Sequence, residues 1–181
     1  MGSKEPVKKI VIADTGPLIA LARIDQLALL NRLFGTVLIT DVVALELTNG
    51  GVFPDSRAIT LALAQPWLQM VATTRESARA CQDWINLHQI DMGEASTLVL
   101  AMHQKSRGDE VLVIVDEARG RHAARHAALA VMGTAGLLLL AKRVGLISKV
   151  APMLATLQQQ GYYLSQRLID AVLQQAGEVD D

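Results

Sequence analysis

The chain has 181 residues, of which 51% are hydrophobic and 19% are charged, and its formal net charge is −1. This length and composition predict a compact globular protein with a substantial core rather than a disordered chain. The near-neutral charge excludes a general electrostatic attraction to nucleic acid, so any polyanion would have to bind a local basic patch. An aromatic content of 3% also argues against a broad base-stacking surface.

The single cysteine, Cys81, excludes an internal disulfide framework and a multi-cysteine zinc site, and it favours a reducing compartment. The longest uncharged run, 127–141, is shorter than the roughly 20 residues that span a bilayer. Residues 1–8 lack the apolar core of a signal peptide, and we interpret them as an extension that is in part an expression tag. We therefore expect a cytoplasmic protein without a membrane segment, with one domain over 9–177 and a tail at 178–181.

The first predicted elements alternate between strand and helix. Lys9–Asp14 is predicted as a strand, and its residues 10–13 are apolar without alternation, which is typical of a strand buried on both faces. Pro17 fits the first turn of the next helix, with Thr15 or Gly16 as its cap. The elements that follow are predicted as helices from Leu18 to Arg23 and from Asp25 to Leu33, a strand over Thr36–Thr40, and a helix from Asp41 to Leu47.

The rest of the chain continues this alternation and ends in helices. The predicted elements are a loop from Val52, a short helix near Arg57–Ala64, an edge strand within Trp67–Thr73, and helices over Glu76–His88 and Gly93–Gln104. Val111–Val115 is the clearest strand, and helices are expected to fill most of Ala118–Gly177. Strands that alternate with helices predict an α/β fold with a mainly parallel sheet wrapped by helices and a helical C-terminal tail.

Two of the predicted strands end on an aspartate. Asp14 closes the run "VIAD", and Asp116 closes "VLVIVD". Because ligands bind outside the carboxyl ends of parallel strands, we expect both carboxylates at the same edge of the sheet. Two carboxylates there need a cation or a proton between them, and oxygen ligands favour Mg²⁺ or Mn²⁺. Each aspartate alone is equally well explained as a helix cap or a turn residue.

Two glutamates join these aspartates by their positions. Glu46 lies near the end of a predicted helix, where a negative charge gains nothing from the helix dipole. Glu94 follows Asp91 with the spacing of a capping box. Outside a site, Glu46 would be an ordinary solvated residue, and Asp91 and Glu94 would only cap each other's backbone.

Four segments, in this order, resemble the PIN-domain family: "VIADTGPLIAL", the glutamate of "ALEL", "DMGEASTLVLA" and "VIVDEARGRHAA". The resemblance covers about residues 10–177 and points to a compact prokaryotic branch, similar to the VapC-type toxin ribonucleases of toxin–antitoxin pairs. The later "MGTAGLLLLAKRVGLI" resembles the helical segment that closes such domains. The resemblance implies an α/β/α sandwich, Mg²⁺- or Mn²⁺-dependent hydrolysis of single-stranded RNA, an antitoxin partner and a homodimer.

The resemblance also implies roles for individual residues. The four acids that converge on the metal ion and act in catalysis would be Asp14, Glu46, Glu94 and Asp116. Thr15 matches a hydroxyl that hydrogen-bonds the first acid or its neighbour. A metal ion in such a site makes bound water acidic enough to attack phosphorus and neutralises the charge that develops on the phosphate. Glu117 directly follows Asp116, and its membership of the site stays open, as does a second metal ion.

A basic cluster follows the last acid. Its members, at the start of a predicted helix, are Arg119, Arg121, His122, Arg125 and His126. Arg121 lies one turn into this helix and could bind a substrate phosphate through its guanidinium, with Arg119 as a second candidate. A solvated helix face explains the same residues, and we interpret the histidines as surface residues rather than metal ligands.

Two alternatives to a nuclease stay open. One is a PIN-like module that binds RNA or a partner protein without cutting. The other is a phosphatase or receiver domain that forms an aspartyl phosphate on Asp14. Against the latter, Gly16 stands where a phosphatase has its general acid, and Ala13 stands where a receiver has a second acid. The sequence also has no glycine-rich phosphate loop, which disfavours nucleotide-dependent enzymes.

Overall fold

The computed structural model describes residues 9–49 and 56–178, which form a five-stranded sheet covered by helices. The strands are β1 Lys9–Ala13, β2 Val37–Thr40, β3 Leu68–Val71, β4 Glu110–Ile114 and β5 Ala130–Met132. All of their pairings are parallel, and the order across the sheet is β3-β2-β1-β4-β5. β1 pairs with β4 over its whole length, with Ala13 opposite Ile114. This register places the ends of β1 and β4 side by side.

Helices connect the strands and cover the sheet. Before β4 they are α1 Thr15–Arg23, α2 Ala28–Phe34, α3 Asp41–Asn49, α4 Ser56–Leu63, α5 Arg75–His88 and α6 Met92–Ser106. After β4 they are α7 Ala118–His126, α8 Thr134–Arg143, α9 Ala151–Gln159 and α10 Gln166–Ala176. Among these described helices, none combines the length and the apolar character needed to span a membrane.

The side chains of the strands alternate between two cores, one on each face of the sheet. Val11 and Ala13 of β1 belong to the core formed with α1–α4 and α8–α10. Ile12 and Val113 belong to the core formed with α5–α7. Parallel strands covered on both faces are expected to be apolar at nearly every position, as β1 and β4 are. The predicted α/β/α sandwich around a parallel sheet is therefore confirmed.

One strand was not predicted. Helices fill most of Ala118–Gly177 as expected, but Ala130–Met132 form β5, which pairs with residues 112–114 of β4. Three residues are too few to show a strand period, and the stretch lies between two helical segments. Pairing with the free edge of β4 overrides the local preference, which is common for short edge strands.

The start of α1 also differs from the prediction. The helix begins at Thr15 rather than at Leu18, and Asp14 rather than Thr15 or Gly16 occupies the N-cap position. The Asp14 side chain makes no capping hydrogen bond, so the cap alternative does not explain this carboxylate. The predicted extension at 1–8, the loop from Val52 and the tail residues 179–181 lie outside the described part of the chain.

Candidate active site

The four predicted acids lie at or beside the carboxyl edge of the sheet. Asp14 directly follows β1, and its backbone N–H donates to the carbonyl oxygen of Ile114 at 3.0 Å, which fixes it beside the end of β4. Asp116 lies two residues after that strand. Glu46 comes from α3, and Glu94 comes from the first turn of α6. Four elements that are distant in sequence thus contribute one acid each to this edge.

Asp14 is a buried carboxyl group at the N-cap of α1. The residue is 5% exposed, and its Oδ1 has no hydrogen-bond partner among the described residues. The pKa of Asp14 is raised from its ordinary 3.8 to about 8: burial is the largest cause, the negative charges of Asp91, Glu94 and Glu46 act in the same direction, and the N–H of Thr15 opposes them. Without a cation, Asp14 therefore holds a proton at neutral pH.

Glu94 is also buried, with 4% of the residue exposed, and only one of its carboxylate oxygens is used by the fold. The N–H of Glu94 donates to Asp91 Oδ1 at 2.8 Å, and the N–H of Asp91 donates to Glu94 Oε2 at 3.2 Å, so the capping box is present. Glu94 Oε1 has no hydrogen-bond partner within the described part of the chain. Burial raises the pKa of Glu94, as do the charges of Asp91 and Glu117. Glu94 therefore caps its helix and still has one oxygen available.

The carboxylate of Glu94 packs against the backbone of Gly120, near the start of α7. A Cβ atom on Gly120 would overlap Glu94 Oε1 and would lie 2.9 Å from Val115 Cγ2. This position therefore excludes any side chain, and the close approach of α7 fixes where the Glu94 carboxylate lies.

Alanine at Gly120 should therefore destabilise the protein, and Gly16 provides a matched control. Both glycines are helical, but a Cβ on Gly16 meets no atom within 4 Å. We expect Gly16→Ala to be neutral or to stabilise by up to about 1 kcal/mol, and Gly120→Ala to destabilise by about 1–3 kcal/mol. Urea unfolding of both variants measures the difference, and equal effects would contradict the close approach of Glu94 to Gly120.

Glu46 is half-buried and is held by Thr15 from the first turn of α1. The Thr15 hydroxyl donates to Glu46 Oε2 at 2.5 Å, and the Glu46 carboxylate lies against Gly93 at the start of α6. Burial raises the pKa of Glu46, whereas the hydrogen bond from Thr15 lowers it. Thr15 thus donates its hydroxyl to one acid and its N–H to Asp14.

Asp116 differs from the other acids because both of its carboxylate oxygens accept hydrogen bonds from neutral donors. Oδ1 accepts the N–H of Thr134 at 2.8 Å, and Oδ2 accepts the Thr134 hydroxyl at 2.5 Å and the Tyr162 hydroxyl. Asp116 therefore caps α8 from the end of β4. Neither partner was predicted from the sequence, because they lie 18 and 46 residues from Asp116. The only sequence signal was the helix break at Gly133, directly before Thr134.

The structure separates the two predicted phosphate-binding residues. Arg121 is half-buried beside Asp116. A Cβ atom added to Gly133 would lie 3.6 Å from Arg121 Nη1 and 2.8 Å from Asp116 Oδ1, so the two side chains lie against the same glycine. Arg121 Nε is buried, and no described residue accepts a hydrogen bond from it. Arg119 is exposed, and its Nη1 donates to the carbonyl oxygen of Gln89 at 3.2 Å, which links α7 to the end of α5. Of the two, Arg121 is the one that lies at the acids.

Two further acids surround this group of carboxylates. Asp91 was predicted only as a capping residue, but its charge raises the pKa of Asp14, Glu46 and Glu94. Glu117 is exposed, and its charge acts on Glu94. The acidic edge therefore carries more negative charge than the four predicted residues alone provide.

The donor atoms at this edge suit a hard cation, although the present side-chain arrangement does not enclose one. Within residues 9–49 and 56–178, no three His, Cys, Asp or Glu side chains are grouped closely enough to hold a metal ion. Asp14 Oδ1 and Glu94 Oε1 are nevertheless buried oxygens without partners. Unpaired buried carboxylates are unfavourable, and Mg²⁺ and Mn²⁺ prefer oxygen ligands. Asp14 and Glu94 would hold the ion, with Glu46 and Asp116 beside them.

A family model described as a PIN domain matches residues 10–178, so the chain belongs to the PIN-domain family, and the predicted family is confirmed. No curated protein matches the sequence at a significant level. PIN domains are generally nucleases and typically use divalent metal ions, in agreement with the donor atoms found here.

Proposed function

We propose that the protein is a Mg²⁺- or Mn²⁺-dependent endoribonuclease that hydrolyses phosphodiester bonds of single-stranded RNA. Its catalytic and metal-binding acids would be Asp14, Glu46, Glu94 and Asp116. The observation that carries this proposal is the pair of buried carboxylate oxygens without partners, Asp14 Oδ1 and Glu94 Oε1, at the carboxyl edge of a PIN-domain sheet.

Each residue around these oxygens would have a distinct role in the reaction. When bound, the cation supplies an acidic water and neutralises charge on the phosphate. Asp14, after losing its proton, and Glu94, whose carboxylate Gly120 keeps in place, would hold the cation through these oxygens. Thr15 orients Glu46 through its hydroxyl. No nucleophilic side chain would be required, because water would be the nucleophile.

The family resemblance and Arg121 support the proposed substrate class. A phosphodiester that approaches the acids needs positive charge to offset their repulsion, and the Arg121 guanidinium lies next to Asp116 with its Nε unpaired. Guanidinium groups bind phosphate through paired hydrogen bonds. We assign Arg121 to the scissile or an adjacent phosphate, and Arg119 to a more distant one.

Arg121→Ala should weaken RNA binding and lower its dependence on salt. Loss of one phosphate contact is expected to reduce the slope of log K against log[salt] by roughly 0.7 for a single strand. The measurement is fluorescence anisotropy of labelled single-stranded RNA at several salt concentrations, in Ca²⁺ to prevent cleavage. Arg79→Ala, at an exposed position of α5, is the matched control. An unchanged slope for Arg121→Ala would contradict phosphate binding by Arg121 and would leave it with a purely structural role.

The biological role that we propose rests on the sequence resemblance: the toxin of a type II toxin–antitoxin pair. In this role the protein would act in the cytoplasm as a homodimer, and a small antitoxin would cover the acidic edge. A short gene directly upstream that encodes a binding partner would support this role. A partner that binds elsewhere and leaves cleavage unaffected would contradict it.

The activity is tested by incubating labelled single-stranded RNA with the protein in EDTA, Mg²⁺ or Mn²⁺. We expect internal cleavage with either metal and none in EDTA, since the acids need a cation to act together. RNA binding without cleavage in any metal would favour the non-catalytic module. Tight binding of beryllofluoride by one aspartate would favour the phosphatase or receiver alternative.

A further inference from the structure

The hydrogen bonds of Asp116 leave it one open position for a cation. A carboxylate has about four lone-pair sites, two on each oxygen. Oδ2 accepts two hydrogen bonds, from the hydroxyls of Thr134 and Tyr162, and Oδ1 accepts one, from the N–H of Thr134. With respect to the residues that the structure describes, therefore, only Oδ1 keeps a free lone pair.

Tyr162 reaches this carboxylate from the C-terminal helices. α9 ends in a turn in which Gly161 adopts φ +77°, and the N–H of Tyr162 returns to the carbonyl oxygen of Leu157 at 2.9 Å. This left-handed turn reverses the chain, so that Tyr162 is half-buried against Asp116 while Tyr163 is 87% exposed. Glycine is the residue that adopts such a conformation without strain.

We propose, on the basis of the proposed function, that Tyr162 is a positioning residue whose hydroxyl holds Asp116 Oδ2 and thereby presents Oδ1 to the metal ion. Thr134 is fully buried and fixes the same carboxylate from α8. Tyr162 holds the carboxylate from a second direction, from the turn between α9 and α10. The segment from α9 to α10 thus completes the metal site and does not merely cover the sheet.

The first test is the affinity of the metal-free protein for Mn²⁺, measured by isothermal titration calorimetry. Tyr162→Phe keeps the ring and removes only the hydroxyl. We expect its dissociation constant for Mn²⁺ to increase roughly 10-fold, as is typical when a residue that orients a metal ligand is lost. Tyr163→Phe is the matched control and should bind as the wild type does. A tighter Tyr162→Phe complex would overturn the proposal, because the hydroxyl would then compete with the ion.

The second test observes the hydroxyl directly and does not depend on the folding of a variant at position 162. The chain contains two tyrosines, so protein labelled with ¹³C at tyrosine Cζ gives two signals, which Tyr163→Phe assigns. We expect the Tyr162 signal to keep its hydrogen-bonded position in saturating Mg²⁺. A shift on Mg²⁺ binding to the position of an unbonded phenol would overturn the proposal.

The outcomes separate this inference from the function on which it rests. Wild-type protein that binds no Mn²⁺ would overturn both. Wild-type protein that binds Mn²⁺, together with Tyr162→Phe of equal affinity, would overturn only the role of Tyr162. Far-ultraviolet circular dichroism of Tyr162→Phe confirms that a weaker affinity reflects the site rather than unfolding.

Discussion

Asp14→Asn should abolish the Mn²⁺-dependent cleavage of single-stranded RNA, with a loss on the order of 10³-fold or more in kcat/KM. Asparagine has nearly the same shape, but its amide cannot lose a proton to become a negatively charged ligand of the cation. The carboxylate makes no capping hydrogen bond to α1, so this loss should not come from damage to the helix. The exposed Asp83→Asn on α5 is the control for the charge change.

The same variant has a distinctive effect on stability in the absence of metal. Between pH 4 and pH 8, folded Asp14 keeps a proton that the unfolded chain releases, because folding raises the pKa of this group from 3.8 to about 8. The free energy of unfolding of the wild type should therefore fall as pH rises through this range, by at most about 1.4 kcal/mol per pH unit from this group.

Asp14→Asn cannot titrate, so it should show a flatter profile than the wild type and should be the more stable of the two at pH 8. Urea unfolding in EDTA at pH 5, 6, 7 and 8 measures both properties. Parallel profiles for wild type and variant would contradict the burial of an uncompensated carboxyl at this position.

The variant also tests the proposed toxin role in cells. Expression of the wild type without its partner should slow growth, and Asp14→Asn should relieve this effect at equal protein levels. Growth arrest by both proteins would separate toxicity from cleavage and would contradict the proposed role.

Asp116→Asn should lose cleavage as well, but its effect on stability should have the opposite sign. An asparagine can still accept the N–H of Thr134 through its oxygen, whereas its amide nitrogen cannot accept from the hydroxyls of Thr134 and Tyr162. Leaving these groups without an acceptor in a largely buried place is expected to destabilise the protein by about 1–3 kcal/mol. The measurement is urea unfolding in EDTA at pH 8.

The opposite signs of the two substitutions follow from the different hydrogen bonding of the two aspartates in the metal-free protein. Among the described residues, Asp14 Oδ1 has no hydrogen-bond partner, whereas both oxygens of Asp116 accept hydrogen bonds. Equal destabilisation by both substitutions would show that Asp14 has a structural partner. A neutral Asp116→Asn would show that the capping of α8 by Asp116 contributes little.

The sequence was sufficient to predict the parts of the site that depend on local pattern. The all-apolar runs before Asp14 and Asp116 identified two central parallel strands, because only strands covered on both faces lack polar positions. The spacing of Asp91 and Glu94 predicted a capping box, which the structure contains. These features are encoded within a few residues of one another.

The missing parts depend on contacts between distant segments. Tyr162 lies 46 residues from Asp116, and no periodicity relates the two. β5 has three residues and exists because β4 offers a free edge. Asp91 was predicted only as the N-cap of its helix. Its electrostatic effect on Asp14 arises because the fold brings the end of β1 close to the start of α6. Burial itself, which sets the pKa of Asp14, is a property of the whole fold.

The most direct test of the account is Mn²⁺ binding measured by isothermal titration calorimetry at pH 8, with wild type, Asp14→Asn, Glu94→Gln and the control Asp83→Asn. We predict that the wild type and the control bind Mn²⁺ alike, and that each of the other two variants binds at least roughly 100-fold more weakly, because each loses a buried carboxylate oxygen that has no other partner. Wild-type affinity in both Asp14→Asn and Glu94→Gln would contradict the central claim that these two acids hold the metal ion.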